Sequence, residues 1–455
     1  MAAIPVSVVN LGCRVNRVES DHMTMALARA GYAIVAAEEA DVVVVNTCAV
    51  TGEAEAKTRK AVRRALGLSR HPYVVATGCA ANLHPDELRS LSDRVTVEGM
   101  KTEVARCVRE LVGEAASEGP EAPESAAPPH GPALTQLLGR SRLGVKIQDG
   151  CNHRCSYCIV WKARGPERSV SLEDVLAQVC EAERAGVPEV VLTGVNLGAY
   201  RWPDRSAGAE ADPVGTEAPM RLEDLIDAIL ERTEIGRVRL SSIEPMDVSE
   251  GLIERMASWG ERVAPFLHLP LQSGCTSTLR RMYRPYTAEA FEELCGRLRQ
   301  AMPAIALSCD VIAGFPGETD EEFEASRALC ERVGFSRMHV FRYSARPGTP
   351  AALAADQVPP QVSARRSAVL RALADRMARA DATARIGSIE PAVIEDAARG
   401  IATLGSFHKL RVVPGADGAG AGERFALREG AMLRVAIMGL DDDGMLIGRP
   451  VATDE

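Results

Sequence analysis

Three short valine-rich runs, each closed by a cysteine, set the tightest limit on how this chain folds. Val6-Ser7-Val8-Val9, Asp41-Val42-Val43-Val44-Val45 and Tyr73-Val74-Val75-Ala76 are nearly continuous in apolar residues. That is the pattern of strands buried on both faces of a parallel sheet. Helical stretches separate them, at about 16–30, 53–68 and 84–91, as parallel crossovers require. The runs predict a small α/β domain over residues 1–112. Cys13 follows the first run, Cys48 the second and Cys79 the third. In a parallel sheet all strands end at one edge, and ligands bind there. Three cysteines distant in sequence then converge on one site. The competing reading is three core thiols, since free cysteine is often simply buried. Equivalent placement after three separate strands favours a three-cysteine cluster site.

A second set of cysteines is local. Gln148-Asp149-Gly150-Cys151-Asn152-His153-Arg154-Cys155-Ser156-Tyr157-Cys158 holds three at C-x3-C-x2-C spacing, just after the apolar run Leu143-Gly144-Val145-Lys146-Ile147. Three closely spaced thiolates suit an iron–sulfur cluster held at three of its four irons, leaving one iron free to bind a substrate. A structural zinc site wants four ligands, usually as two pairs. His153 is an available fourth ligand if the loop folds tightly back, so zinc and unliganded thiols stay open as alternatives.

Residues 113–136 are rich in Pro, Ala, Gly and Glu and read as a linker. From 137 to about 350, strand and helix alternate. The strand candidates are 144–148, 189–193, 237–241, 266–271, 307–313 and 337–343. Leu222, Leu225, Ile226 and Ile229 form an i, i+3, i+4, i+7 stripe on a helix over 221–233. Ser171-Leu172-Glu173-Asp174 and Thr319-Asp320-Glu321-Glu322 open helices as capping boxes or their Asp variant. Six βα units predict a parallel sheet, either open or curled into a partial barrel. Residues from Pro203 to Pro219 read as a disordered insertion. One Ala/Arg-rich helix over 360–385 closes this domain, 137–385. Beyond it, 386–455 shows short strands near 392–395, 409–413, 432–437 and 445–448, separated by Gly turns. This predicts a small OB-like β-barrel, a fold that often binds oligonucleotides. Lys409, Arg411, Arg424, Arg428 and Arg434 give it weak basic character. The helix at 53–68 carries Lys57, Arg59, Lys60, Arg63 and Arg64, read either as a solvated face or as a phosphate-contacting patch.

At 455 residues the chain has room for two or three domains. No run of about 18 apolar residues occurs, so no membrane partner is expected, and the first residues lack a signal-peptide pattern. The expected location is cytoplasmic, where thiols stay reduced and clustered cysteines are ligands rather than disulfides. A net charge of −9 argues mildly against nucleic acid as partner, although a local basic patch can coexist with an acidic total.

The motifs resemble those of the radical S-adenosylmethionine (SAM) methylthiotransferase family. In the N-terminal part they are Asn10-Leu11-Gly12-Cys13-Arg14-Val15-Asn16, Val45-Asn46-Thr47-Cys48-Ala49-Val50-Thr51 and Thr77-Gly78-Cys79. In the core they are Gln148 through Cys158, Leu269-Pro270-Leu271-Gln272-Ser273-Gly274-Cys275 and Asp310-Val311-Ile312-Ala313-Gly314-Phe315-Pro316-Gly317-Glu318-Thr319. The C-terminal segment is similar to the family's TRAM domain, with the weakest match. Gly12 through Asn16 and Thr193-Gly194-Val195-Asn196-Leu197-Gly198-Ala199-Tyr200 look like the MtaB branch. Ile159-Val160-Trp161-Lys162 departs from the family's usual Ile-Ile/Val-Pro.

The resemblance implies a partial (β/α)6 barrel core and two [4Fe-4S] clusters. One is held by Cys151, Cys155 and Cys158, the other by Cys13, Cys48 and Cys79. It implies SAM as cofactor, both radical source and methyl donor. Tyr157, Gly194, Ile312 and Gly314 are the SAM-pocket candidates. The implied activity is methylthiolation of C2 of N6-threonylcarbamoyladenosine at position 37 of tRNA. That C–H is neither acidic nor a leaving group, so radical chemistry falls to cofactors. The partners implied are the tRNA anticodon stem-loop and a reductant protein such as flavodoxin or ferredoxin. Within the family, isopentenyladenosine in tRNA or an aspartate of a small-subunit ribosomal protein are alternative substrates. A non-catalytic iron–sulfur electron carrier or redox sensor is the alternative of another class. Cys107, Cys180, Cys295, Cys309 and Cys330 read as core thiols, and Cys275 is assigned no ligand role.

Overall fold

The structure is a computed structural model, and it describes residues 3–113, 138–203, 218–413 and 427–451. The linker and the insertion fall largely outside these residues, as does Arg424. The chain divides into two compact units. The first comprises Met1–His130, Asp149–Glu167 and Ser344–Ala352; the second holds the remainder.

In the first unit, β1 (Pro5–Asn10), α1 (Arg14–Arg29), β2 (Ala33–Ile34), β3 (Val42–Thr47), α2 (Gly52–Leu66), β4 (Tyr73–Gly78), α3 (Cys79–Leu83), α4 (Pro85–Arg89), β5 (Val95–Val97) and α5 (Val104–Val112) follow in order. The five strands form one parallel sheet in the order β2-β1-β3-β4-β5. Every residue of β3, the middle strand, is buried. Alternation along it sends Val42 and Val44 into a core with Met23, Leu27 and Val108, and Val43 and Val45 into a second core with Val62 and Leu88. The valine runs are nearly unbroken because both faces are covered. The edge strands β2 and β5 were not among the expected strands. The segment Asp149–Glu167 adds the short helix α6 (Val160–Arg164) to this unit.

In the second unit, the strands β6 (Arg142–Lys146), β7 (Glu189–Thr193) and β8 (Arg237–Leu240) form one parallel sheet. A second contains β9 (Phe266–His268), β10 (Ala306–Ala313) and β11 (Arg337–Arg342). Isolated parallel bridges, Val238 to Val263 and Ser242 to His268, run from β8 toward β9. Six parallel strands thus succeed one another in chain order, each linked to the next through helices. These are α7 (Leu172–Arg184), α8 (Leu222–Arg232), α9 (Glu250–Ser258), α10 (Thr276–Arg281), α11 (Ala288–Ala301) and α12 (Asp320–Val333). Both expected caps form. Ser171 accepts from the Asp174 N–H, and Thr319 with Glu322 makes a reciprocal capping box. The stripe on α8 is buried as expected.

The 25-residue helix α13 (Pro360–Ala384) leads into five strands, β12 (Ile389–Asp396), β13 (Ile401–Leu404), β14 (Lys409–Val412), β15 (Met432–Leu440) and β16 (Leu446–Pro450). They close into a barrel in the order β12-β13-β14-β16-β15 around Ala392, Ile394, Leu404, Leu410, Val435 and Ile437. Closure leaves no free edge. This barrel covers the starts of the core strands. Arg142, Glu189 and Arg237 stand in one cross-strand rank. Arg237 donates to the Pro391 carbonyl at 2.8 Å, and Arg239 to the Leu404 and Gly405 carbonyls at 3.0 and 2.7 Å. No helix among the described residues is long and apolar enough to cross a membrane.

Candidate functional site

All six cysteines of the two motifs lie in the first unit. The strand order β2-β1-β3-β4-β5 reverses direction between β1 and β3, and in such sheets ligands bind outside the carboxyl ends at that switch point. Cys13 caps the start of α1 just past β1, Cys48 follows β3, and Cys79 begins α3 directly after β4. Gly12 shows how close the first two loops come. Its φ is +109°, and a Cβ there would stand 2.6 Å from both Cβ and Sγ of Cys48, so the position admits only glycine. Asn16 knits the same loops together. Its Nδ2 donates to the carbonyls of Leu11 at 2.9 Å and Thr47 at 2.8 Å, while Asn46 donates to the Asn16 carbonyl at 2.8 Å. Thr47 in turn accepts, through its hydroxyl, from the Ala81 N–H at 3.0 Å.

Cys48 and Cys79 are buried and Cys13 is exposed. Burial pushes the Cys48 and Cys79 thiols up; Cys13 and Cys79 add to the shift at Cys48, and Cys13 and Glu19 to that at Cys79. Arg164 and Lys101 act in the opposite direction on Cys79. Buried thiols whose ionisation is penalised, as those of Cys48 and Cys79 are, are stabilised by a cationic metal centre, because coordination removes the protons outright.

The second trio sits on a loop pinned at its start. Gly150 has φ +72°, and a Cβ there would fall 1.8 Å from the Pro166 carbonyl oxygen. The Cys151 N–H donates to the Gly165 carbonyl at 3.1 Å, and the Cys158 N–H to that of Cys155 at 3.0 Å. Burial pushes the Cys151 thiol up to about 12, opposed by the His153 N–H and reinforced by Cys158 and Cys155. The Val160 N–H lies 3.4 Å from Cys158 Sγ, the kind of contact that tunes a cluster's sulfur ligands. All twelve cysteines are free of disulfides. Among the described residues no three His, Cys, Asp or Glu side chains are gathered as a site for one metal ion. Cluster ligands, one per iron, stand farther apart than ligands sharing a single ion.

The departure at Trp161 also has a structural account. Its Nε1 donates to the Cys158 carbonyl at 3.1 Å, and the Arg154 guanidinium stacks 3.9 Å from the ring centroid. Of the SAM-pocket candidates, Tyr157 is half-buried on the cysteine loop of the first unit. The other three belong to the second unit. Gly194 follows β7 and packs on Gln148, and Ile312 and Gly314 lie at the end of β10. Gly314 has φ +75° and lies against Ser363 of α13, which leaves 2.6 Å for a Cβ. That close approach by itself requires glycine there.

The basic residues singled out in the sequence are largely paired within the protein. Lys57 meets Glu53 at 2.7 Å, Arg59 meets Glu87 at 3.4 Å and Arg64 meets Glu38 at 3.6 Å, while Lys60 and Arg63 are exposed. In the C-terminal barrel Lys409 pairs with Glu395, Arg411 with Asp441 at 3.6 Å and Arg434 with Glu261 at 3.3 Å. A group absent from the sequence reading is the network of buried Glu19 and Arg164 with half-buried Asp149 and Lys101, beside Cys79. Only the position of Asn16, inside the first cysteine motif, pointed toward it.

Residues 145–330 match the model of the Radical SAM superfamily, and residues 5–98 that of the uncharacterized protein family UPF0004. The threonylcarbamoyladenosine tRNA methylthiotransferase MtaB of Thermotoga maritima is 34% identical over 80% of this chain and 81% of its own length. That of Bacillus subtilis is 34% identical over 81% and 80%. This chain belongs to the radical SAM tRNA methylthiotransferase family. Membership brings an iron–sulfur cluster and SAM as cofactors and tRNA methylthiolation as activity. A tRNA-2-methylthio-N(6)-dimethylallyladenosine synthase of Novosphingobium aromaticivorans is 33% identical over 85% and 86%, so two branches of the methylthiotransferases stand at similar distance. Among solved structures, the radical SAM methyltransferase TsrM of Kitasatospora setae superposes with a TM-score of 0.53 at 15% identity, over 78% of this chain and 77% of that one. That likeness concerns the fold alone.

Proposed function

We propose that this methylthiotransferase acts on C2 of N6-threonylcarbamoyladenosine at position 37 of tRNA. We propose also that it does so with two [4Fe-4S] clusters, one on Cys151, Cys155 and Cys158 and one on Cys13, Cys48 and Cys79. The observation that carries this reading is the presence of two separate trios of free cysteines in one folded unit. When bound, a three-cysteine cluster and SAM supply the radical that an unactivated C2–H demands.

The chain's own residues do the positioning. Gly12 lets the Cys13 and Cys48 loops touch, Asn16 clamps the backbone before each of them, and Gly150 turns the chain into the second loop. Tyr157, Gly194, Ile312 and Gly314 remain the proposed SAM contacts. The target base lies in a single-stranded loop, so drawing it from its stack costs a few kcal/mol at most. Residues 1–112 serve as the second cluster's domain, 137–385 as the radical SAM core, 113–136 as linker and 386–455 as a TRAM-like RNA-binding domain. The tRNA anticodon stem-loop is the partner, with a flavodoxin or ferredoxin as reductant, in the cytoplasm.

The test is mass spectrometry of nucleosides from total tRNA, with and without the gene. Loss of 2-methylthio-threonylcarbamoyladenosine with a rise in its precursor supports the reading. Loss of a different methylthio-adenosine refutes the branch assignment and favours the dimethylallyladenosine reading that the Novosphingobium relative raises.

A further inference from the structure

We propose that Arg164 is a positioning residue that fixes the spacing between the two cysteine trios. It closes α6, six residues after Cys158, and its side chain is 5% exposed. One guanidinium, carried on α6, reaches both α1 and the segment that leads into the Cys151 loop. It donates to Glu19 Oε1 and Oε2 of α1 at 2.8 and 3.1 Å, to Asp149 Oδ1 at 2.8 Å and to Asn16 Oδ1 at 2.6 Å. Two of these partners lead to cysteine loops. Asp149 also accepts the Gly150 N–H at 2.8 Å, at the root of the Cys151 loop. Asn16 spends its other amide atom on the carbonyls of Leu11 and Thr47, two residues before Cys13 and one before Cys48.

The residue after Arg164 holds the Cys151 N–H through its carbonyl, and the residue before it, Ala163, packs with Ala49, Cys79 and Ala80 in one small apolar cluster. Lys101, half-buried, completes the site by pairing with Glu19, so Glu19 receives two cations while Asp149 receives Arg164. A planar fork with fixed donor directions can hold three acceptors in register; a compact ammonium cannot.

This inference rests on the six-cysteine reading above. For a reaction in which hydrogen abstraction and sulfur delivery meet at one carbon, relative placement governs yield, and an error of about 1 Å can cost on the order of 100-fold. The experiment compares wild type with Arg164→Gln and Arg164→Lys, reconstituted with iron and sulfide on the full chain. Iron and sulfide are counted, the magnetic interaction between the reduced clusters is read by EPR, and methylthiolated tRNA is measured per 5′-deoxyadenosine released.

Both variants are expected to bind both clusters, to show an altered intercluster EPR signature, and to yield at least about tenfold less product per 5′-deoxyadenosine. An unchanged signature and ratio in Arg164→Gln overturns the proposal. So does a wild-type ratio in Arg164→Lys, since charge alone would then suffice. If Arg164→Gln fails to retain its clusters, Asp149→Asn, which leaves Arg164 on Glu19 and Asn16, must shift the same signature; no shift overturns it. A wild-type protein that binds only one cluster sinks the six-cysteine reading instead.

Discussion

Replacing Glu189 by Gln should loosen the C-terminal barrel from the core. Glu189, Arg237 and Arg239 are each fully buried. The carboxylate receives Arg237 Nε at 2.5 Å and Arg239 Nε and Nη2 at 2.7 and 3.0 Å, with Arg142 at 3.4 Å. Among the described residues, the other hydrogen-bond acceptors of the two buried guanidiniums are backbone carbonyls of the barrel, those of Pro391, Thr403, Leu404 and Gly405. Phe407 of the same barrel lies under the cations of Arg142, Arg239 and Arg337, 5.5, 4.8 and 5.1 Å from its ring centroid. Gln keeps the shape and one acceptor but removes the charge that balances them. Breaking a buried pair by removing one partner costs about 3–5 kcal/mol, because the surviving charge is left uncompensated. At roughly 2–4 °C per kcal/mol for a domain of this size, the melting temperature should drop by about 6–20 °C.

Calorimetry and hydrogen exchange check this together, the latter because protection in β12–β16 should fall before that in β6–β11. The pH dependence has a definite sign. Burial alone would raise the Glu189 pKa, but the arginines hold it well below the usual carboxylate range. Its contribution is therefore complete above the ordinary carboxylate pKa and is lost only as pH falls through the depressed value. The gap between wild type and variant should stay constant from about pH 5 to 8. A Glu189→Gln protein melting within about 2 °C of wild type would refute the reasoning, since it would mean the arginines are solvated or paired elsewhere.

Cys48→Ala should abolish methylthiolation while 5′-deoxyadenosine is still produced in a SAM-cleavage assay; loss of both iron–sulfur signals would contradict two independent sites. Gly150→Ala, which sets a methyl group 1.8 Å from the Pro166 carbonyl oxygen at φ +72°, should lower iron content at the Cys151 trio, with full incorporation as the refuting result. Glu322 is pulled to about 2: burial alone would push it up, but hydrogen bonds from Arg281, Ser277 and the Thr319 N–H outweigh that. Its depressed pKa means that its stabilisation is present above the ordinary carboxylate pKa and fades as pH falls toward 2. Glu322→Gln should then cost about 1.5–3 kcal/mol at pH 7 and progressively less in acid, as urea unfolding at pH 7 and pH 3 would reveal.

What was legible in the sequence follows from how local each signal is. The runs at β1, β3 and β4 announce themselves because both faces of those strands are covered, so apolar residues run nearly unbroken through them. The two-residue β2 and three-residue β5 carry too few residues for any period, and β13, Ile401-Ala402-Thr403-Leu404, is bounded by Gly400 and Gly405 in a stretch that reads as a turn. The placement of Cys13, Cys48 and Cys79 past the ends of three parallel strands was legible for a topological reason: parallel strands deliver their ends to one edge whatever the intervening sequence.

The buried charges were not legible. Arg237-Val238-Arg239-Leu240 alternates like a strand with one wet face, yet all four residues are buried, because a barrel more than 140 residues later in the chain covers the arginine face. Arg164 likewise reads as one more surface arginine; its burial depends on Glu19, 145 residues before it. The same physics separates the two cases from the cysteines. An apolar run advertises its own burial, whereas a buried charge is tolerated only through partners that the tertiary fold supplies. Charged pairs of this kind stand where distant parts of a chain must be held in a fixed relation. In this enzyme those places are the seam between core and barrel and the junction of the two cysteine trios.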